Sequence, residues 1–411
     1  MGQKRRRGLV SFLRSVGRQM RLSDFFRLPF LNDGEVGSSA IVIKKATKVG
    51  APVAVIFSSV NSNGFSYFKL FERFEGAITR IYVRDPSDMW YNNGVSENLN
   101  DSDKLFQYLH KTIRELKPSR VMCFGSSMGG YAALRFAMSG HVDLCVSTSP
   151  QTILDTRLPH TPKEPVDAGG YDLRQDIEAL DHRKFLLFFG AADFVDVFNV
   201  LRVHWAGATV YPIANRDHLV AEYLYREGVF DHVLKSFIAG ESAIGEAISS
   251  VLPALDNRVF DPPTFEAISR IVESYYLAAD WDLAQLAVGL IEKDTWADAE
   301  HILSQYYRKK QNFGAAVDMA NRAFKSAPAS VKMAEALAST LRSAGRLDEA
   351  VEAYERCLEI RPKQYSALCA LAELLAEKGE KAPSLRLLLK AQEIRPRLSR
   401  AFDLQKKLHQ S

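Results

Sequence analysis

The chain has 411 residues, 47% of them hydrophobic and 25% charged, the composition of an ordinary globular protein long enough for two or three domains with cores. Its net charge of +4 gathers at the start, so the remainder is nearly balanced and carries no basic footprint for a nucleic-acid partner. No stretch approaches the ~18 apolar residues of a membrane-spanning helix.

Residues 1–37 read as a basic arm. Lys4, Arg5, Arg6, Arg7, Arg14, Arg18 and Arg21 all precede the first acid, Asp24, and alternate with Leu9, Val10, Phe12, Leu13, Val16 and Met20. A helix there would be amphipathic and able to rest on an anionic membrane surface; a solvated arm is the simpler expectation. With no uninterrupted apolar core and no small-residue cleavage site, the segment does not read as a signal peptide.

From 38 to 240, apolar runs of strand length alternate with helical patterns. Candidate strands cover 40–45, 52–60, 78–85, 120–126, 142–149, 184–190 and 208–213, and helix-like stretches cover 101–116, opened by Asp101, and 220–238. The alternation predicts an α/β fold: a mostly parallel sheet with helices on both faces. The charged first strand suits a sheet edge.

The segment "CFGSSMGGYAAL" (123–134) lies where a strand passes into a helix. A serine presented on such a sharp turn needs small residues two positions before and two after it. Ser127 has Gly125 and Gly129 there, whereas Ser126 has Phe124 and Met128, so Ser127 is the candidate nucleophile. In this context "GSSMGG" resembles the nucleophile elbow of the α/β-hydrolase fold, and the resemblance extends over about half the chain.

That resemblance implies a triad in the order Ser, Asp or Glu, His. The acid is expected just after the next-to-last strand, where "FLLFFGAADFVD" offers Asp193, at the family position, and Asp196 as second choice. The one of the two outside the triad is expected to cap a helix. The base must lie in the loop beyond the last strand. His204, His232, His301 and His409 fall on helices, which leaves His218 in "YPIANRDHLV". Met128, after the nucleophile, is expected to give one oxyanion-hole N–H, and Asn61 or Val60 in "VNSNG" the other. Trp90 and Tyr91 in "RDPSDMWYNNG" are weak candidates for stacking on a sugar ring or acyl group, with a packed loop as the plainer reading. Only the short stretch 151–183 separates the candidate strand ending at 149 from the one opening at 184, which suggests a mostly open pocket. No metal or cofactor is expected.

Residues 241–262 read as a linker, and 263–411 as an all-α repeat domain. Pro328, Pro362 and Pro396 recur at one constant interval, Gly345 and Gly379 stand the same distance apart, and Ala323, Cys357 and Ala391 share one column. That interval, roughly 34 positions, is the spacing of tetratricopeptide (TPR) repeats, two antiparallel helices each. The best unit, 331–364, has Leu337, Ala338, Gly345, Ala350 and Tyr354 in the consensus columns. Upstream, 279–294 resembles the second helix of a degenerate, capping unit, and the final "RLSRAFDLQKKLHQ" reads as a closing polar helix.

The four cysteines, Cys123, Cys145, Cys357 and Cys369, include no CxxC and sit in apolar segments, as expected of buried side chains in a reducing, cytoplasmic setting. Taken together, the expected function is a serine hydrolase acting on a carboxylic ester, with a protein or peptide partner on the concave face of the repeats. An acyltransferase that O-acetylates a polysaccharide is the alternative on the same fold, and an inactive scaffold the second. Each domain is expected to close its own core.

Overall fold

The computed structural model describes residues 40–60, 64–164, 172–174, 185–204, 208–291, 295–395 and 398–410. The basic arm and Asn61 lie outside them. The N-terminal half is a mixed α/β region built on seven strands: β1 Ile41–Lys44, β2 Val53–Phe57, β3 Thr79–Val83, β4 Val121–Ser126, β5 Leu144–Thr148, β6 Phe185–Gly190 and β7 Thr209–Ile213. They form one sheet in the order β1-β3-β2-β4-β5-β6-β7. β1 is antiparallel to β3 and every other pair is parallel.

Strands β2 to β6 are fully buried along their length, which is why they are mostly apolar without strict alternation; in β3 the buried Arg80 pairs with Glu72 at 3.0 Å. One face carries Val53, Val55 and Phe57 of β2 against helices α2 (Ser102–Leu116), α3 (Met128–Ser139) and α4 (Phe194–His204). The other carries Ala54 and Ile56 against α1 (Phe68–Glu72), α5 (Val220–Arg226) and α6 (Val229–Ala239). β1 is only half-buried, as befits a charged edge strand. Asp101 caps α2 by accepting from Lys104 N at 2.7 Å. The single helix expected over 220–238 is divided into α5 and α6 at Gly228, whose φ of 76° belongs to the left-handed region that ends helices.

The expected linker and domain boundary need correction. After α6, a short helix α7 (Ile244–Ala247) buries Ile244 against the second face. The chain then runs along β7, with Ala214 N bonded to Ala254 O and Asp256 N to Pro212 O. Helices α8 (Pro262–Val272) and α9 (Trp281–Val288) do not begin a separate core. Ala267, Ile268, Ile271, Val272, Ala284 and Ile302 belong to the same apolar cluster as the first sheet face. The two halves therefore share a core instead of each closing its own.

From there the chain is all helical and TPR-like: α10 Ala297–Lys309, α11 Phe313–Ser326, α12 Val331–Ser343, α13 Leu347–Ile360, α14 Tyr365–Glu377, α15 Lys381–Ile394 and α16 Arg400–Gln410. α10, α12 and α14 start at equal intervals along the chain, and α11, α13 and α15 repeat the same interval. The recurring column Ala323, Cys357 and Ala391 is buried where helices cross, and Gly345 and Gly379 take positive φ in the turns within repeats. All four cysteines are buried thiols, none in a disulfide. Among the described residues no helix is long and apolar enough to cross a membrane.

Candidate active site

Ser127 sits between the last residue of β4 and the first of α3 with φ 51° and ψ −120°, a conformation that L-residues rarely adopt. Two backbone bonds hold it there: its N–H donates to Thr148 O at 2.9 Å, and its carbonyl accepts from Tyr131 N at 2.9 Å. The flanking glycines are demanded by close approach. A Cβ on Gly125 would stand 2.1 Å from Gly129 O, and one on Gly129 would stand 2.3 Å from Phe57 O. Both obstacles are backbone, so neither can swing aside. Gly129→Ala is therefore expected to destabilise the fold by about 1–3 kcal/mol or more, read as a lowered denaturant midpoint. Ser126, by contrast, ends a buried strand, and its carbonyl accepts from Ser59 Oγ at 3.0 Å.

His218 follows β7 and reaches Ser127: Nε2 lies 2.9 Å from Ser127 Oγ. Its other nitrogen, Nδ1, lies 2.7 Å from Asp196 Oδ1. A carboxylate only accepts, so Nδ1 carries the proton and neutral Nε2 is left to accept from the serine hydroxyl. Burial works to lower the His218 pKa, but the charge and hydrogen bond of Asp196, with Asp193 and Asp217 beyond, hold it above the ordinary imidazole value. Burial pushes the Asp196 carboxyl up, against the pull of His218.

The carboxylate on His218 is thus that of Asp196, not Asp193. Asp193 caps α4, its Oδ1 accepting from Val195 N at 3.0 Å and Asp196 N at 3.4 Å, while Oδ2 accepts from Lys332 Nζ at 3.1 Å. Asp196, within the first turn of the helix, is left to face the histidine. The cap is buried rather than solvated. Burial alone would raise the Asp193 pKa; the charges of Lys332 and His160 overcome it and hold the carboxyl well below the usual range. The acid and base loops also touch directly. Ala192 N donates to Arg216 O, and a Cβ on Gly190 would meet Arg216 O and Asp217 O at 2.3 Å.

Several neighbours escaped the sequence reading. Gln151, just after β5, points Nε2 at Ser127 Oγ across 3.4 Å while its Oε1 accepts from Trp90 Nε1 at 2.9 Å. Asn199 of α4 places that segment by accepting from Thr152 N at 2.7 Å. His160 stacks on His218, ring centroids 3.7 Å apart and 5° from parallel. Lys332, on Asp193, comes from the repeats. No local pattern marks any of them.

The weak candidates Trp90 and Tyr91 are both buried. Asp85 draws their loop inward by accepting from Ser87 N, Met89 N and Tyr91 N, and the Tyr91 hydroxyl donates to Ser58 O at 2.9 Å. Tyr91 is a core residue, and Trp90 bonds to Gln151, which in turn faces the serine. The stretch 151–183, on which the open-pocket expectation rests, is described only over 151–164 and 172–174, and that part lies against the histidine. Ser127 is 9% exposed and His218 8%, because the segment carrying His160 lies over the histidine and Arg157 ties that segment to Leu277 O at 2.8 Å. Met128 begins α3 immediately after Ser127, where the first N–H groups of a helix have no intrahelical acceptor.

Comparison with known proteins bears on the repeats. A tetratricopeptide-repeat family model matches residues 331–374. Among solved structures, this chain is similar to YrrB, described as a TPR protein with an unusual peptide-binding site, at 17% identity over 45% of this chain and 91% of that one, TM-score 0.32. It is similar to MamA at 22% identity over 39% and 93%, TM-score 0.30. It is also similar to the Yersinia enterocolitica type III secretion chaperone SycD, solved with a peptide of the translocator YopD, at 17% identity over 28% and 92%, TM-score 0.26. No curated protein matches the chain.

Proposed function

We propose that this chain is a serine esterase of the α/β-hydrolase type, joined to a repeat array that binds a protein or peptide. The observation that carries the reading is the continuous chain Asp196–His218–Ser127, at 2.7 and 2.9 Å, ending on a serine held at φ 51°. His218 would take the Ser127 proton as Oγ attacks the ester carbonyl, while Asp196 holds the tautomer and stabilises the imidazolium. The oxyanion would meet the Met128 N–H at the positive end of α3. His218 would then protonate the leaving alcohol, and water, activated by the same histidine, would release the acid. The repeats support a protein partner because stacked TPR helices form a concave surface suited to peptides.

Acyl transfer is a second reading, favoured by one observation: the His160 segment covers the base, and excluding water protects an acyl-serine. Mass spectrometry of the protein during turnover of p-nitrophenyl acetate, with and without oligosaccharides, separates the two. Steady hydrolysis little changed by sugar is expected. A stoichiometric burst, a long-lived acetyl group on Ser127 and its transfer to sugar would overturn the esterase reading in favour of the transferase.

The pH profile follows from the base. Only neutral His218 accepts the serine proton, and its pKa lies above the ordinary value. Activity is therefore expected to be full on the alkaline side and to fall as pH drops through a midpoint above about 6.5. A midpoint well below that value in kcat/KM would remove His218 from the role.

A further inference from the structure

Two buried carboxylates, Asp193 and Asp196, stand one helical turn apart beside one imidazole, yet only Asp196 bonds to it. The difference lies in a residue from the far half of the chain. Lys332, in the first turn of α12, extends Nζ to Asp193 Oδ2 at 3.1 Å and to Asp298 Oδ1 at 2.8 Å, its side chain 24% exposed. Asp298 in turn accepts from Phe194 N at 2.8 Å, at the start of the helix that carries Asp196. The same stretch grips the other side of the site. Asp217, next to His218, accepts from Ser330 Oγ at 2.7 Å and from Lys332 N at 3.1 Å. One short stretch of the repeat region thus holds both the acid loop and the base loop.

Two carboxylates buried around one cation are stable only while the cation is there. Without it, Asp193 would keep only the His160 ring, Nε2 at 4.0 Å, and its backbone cap bonds, and its charge on the flank of His218 would compete with Asp196 for the imidazolium. We propose that Lys332 is a positioning residue for the His218–Asp196 pair: by neutralising Asp193 it leaves Asp196 as the one carboxylate that orients the base. The repeat region is then part of the site, not an appended adaptor. The inference rests on the esterase reading for its consequence in catalysis, but its electrostatic content can be measured without any substrate.

The experiment uses the full-length chain and two readouts: the histidine 15N NMR titration, with His218 identified by its loss in His218→Gln, and the rate of fluorophosphonate labelling against pH. The charged and titratable groups facing His218 are Asp196, Asp193 and Asp217, with His160 stacked on its ring. Lys332→Met is expected to move the His218 midpoint upward by about one pH unit, as an unpaired neighbouring carboxylate does, and to slow labelling at neutral pH tenfold or more. Adding Asp193→Asn to Lys332→Met should return the midpoint and most of the rate; a merely structural lysine would show no such rescue. Should Lys332→Met not accumulate as folded protein, Lys332→Gln with Asp298→Asn leaves Asp193 as the one carboxylate deprived of the lysine, with His160 still beside it, and should give the same upward shift. An unchanged midpoint in a folded variant, or a lost rate that Asp193→Asn does not relieve, overturns the proposal. A shifted midpoint in a protein whose wild type never labels would reject the esterase reading and leave the placement by Lys332 standing.

Discussion

Ser127→Ala is expected to abolish labelling by a fluorophosphonate and to lower ester turnover by on the order of 10⁶, the loss that follows when a nucleophile is removed from an intact triad. Ser126→Ala should keep most of both. The contrast follows from backbone geometry, since Ser127 alone of the two occupies the strained turn at φ 51° with its Oγ 2.9 Å from His218. Ser126 belongs to the buried end of β4. Intact-mass measurement of the adduct checks both variants directly, and undiminished labelling of the Ser127→Ala protein would dismiss the turn as a site.

Asp196→Asn is expected to cost on the order of 10⁴ in kcat, because an amide can donate to Nδ1 and so favour the wrong imidazole tautomer. The acidic limb of the pH profile should also move down, since the carboxylate that raises the His218 pKa is gone. Asp193→Asn should cost far less. Its cap on α4 survives in the Asn carbonyl, and Lys332 keeps Asp298 as a partner. Steady-state kinetics of the two variants side by side decides the matter, and the reverse ranking would return the acid to Asp193.

The choice between these aspartates marks how far local reading reached. A capping rule applied to "GAADFVD" would have favoured Asp193 as the residue just ahead of the helix and released Asp196 for the histidine. The family position pointed the other way. The repeats, the seven strands and the tight turn at Ser127 were legible because each is a short-range pattern: a fixed period, an apolar run of strand length, glycines two positions either side of a serine. Gly228 shows a limit even there, since one left-handed residue divides a helix that periodicity alone makes continuous.

By itself, then, the sequence determined what neighbours in the chain impose: a mixed α/β region with a mostly parallel sheet, a tetratricopeptide-like array after it, and Ser127 and His218 as candidate site residues in strand-end loops. Only the tertiary structure decided which carboxylate orients the histidine, that Gln151 and His160 flank the pair, and that the two regions share a core. It alone brought Lys332 onto Asp193 and Ser330 onto Asp217, across 139 and 113 residues. Such contacts arise when buried charges must find partners wherever folding brings them. Spacing along the chain carries no trace of that requirement, because the partners are chosen by the packing of helices onto the end of a sheet.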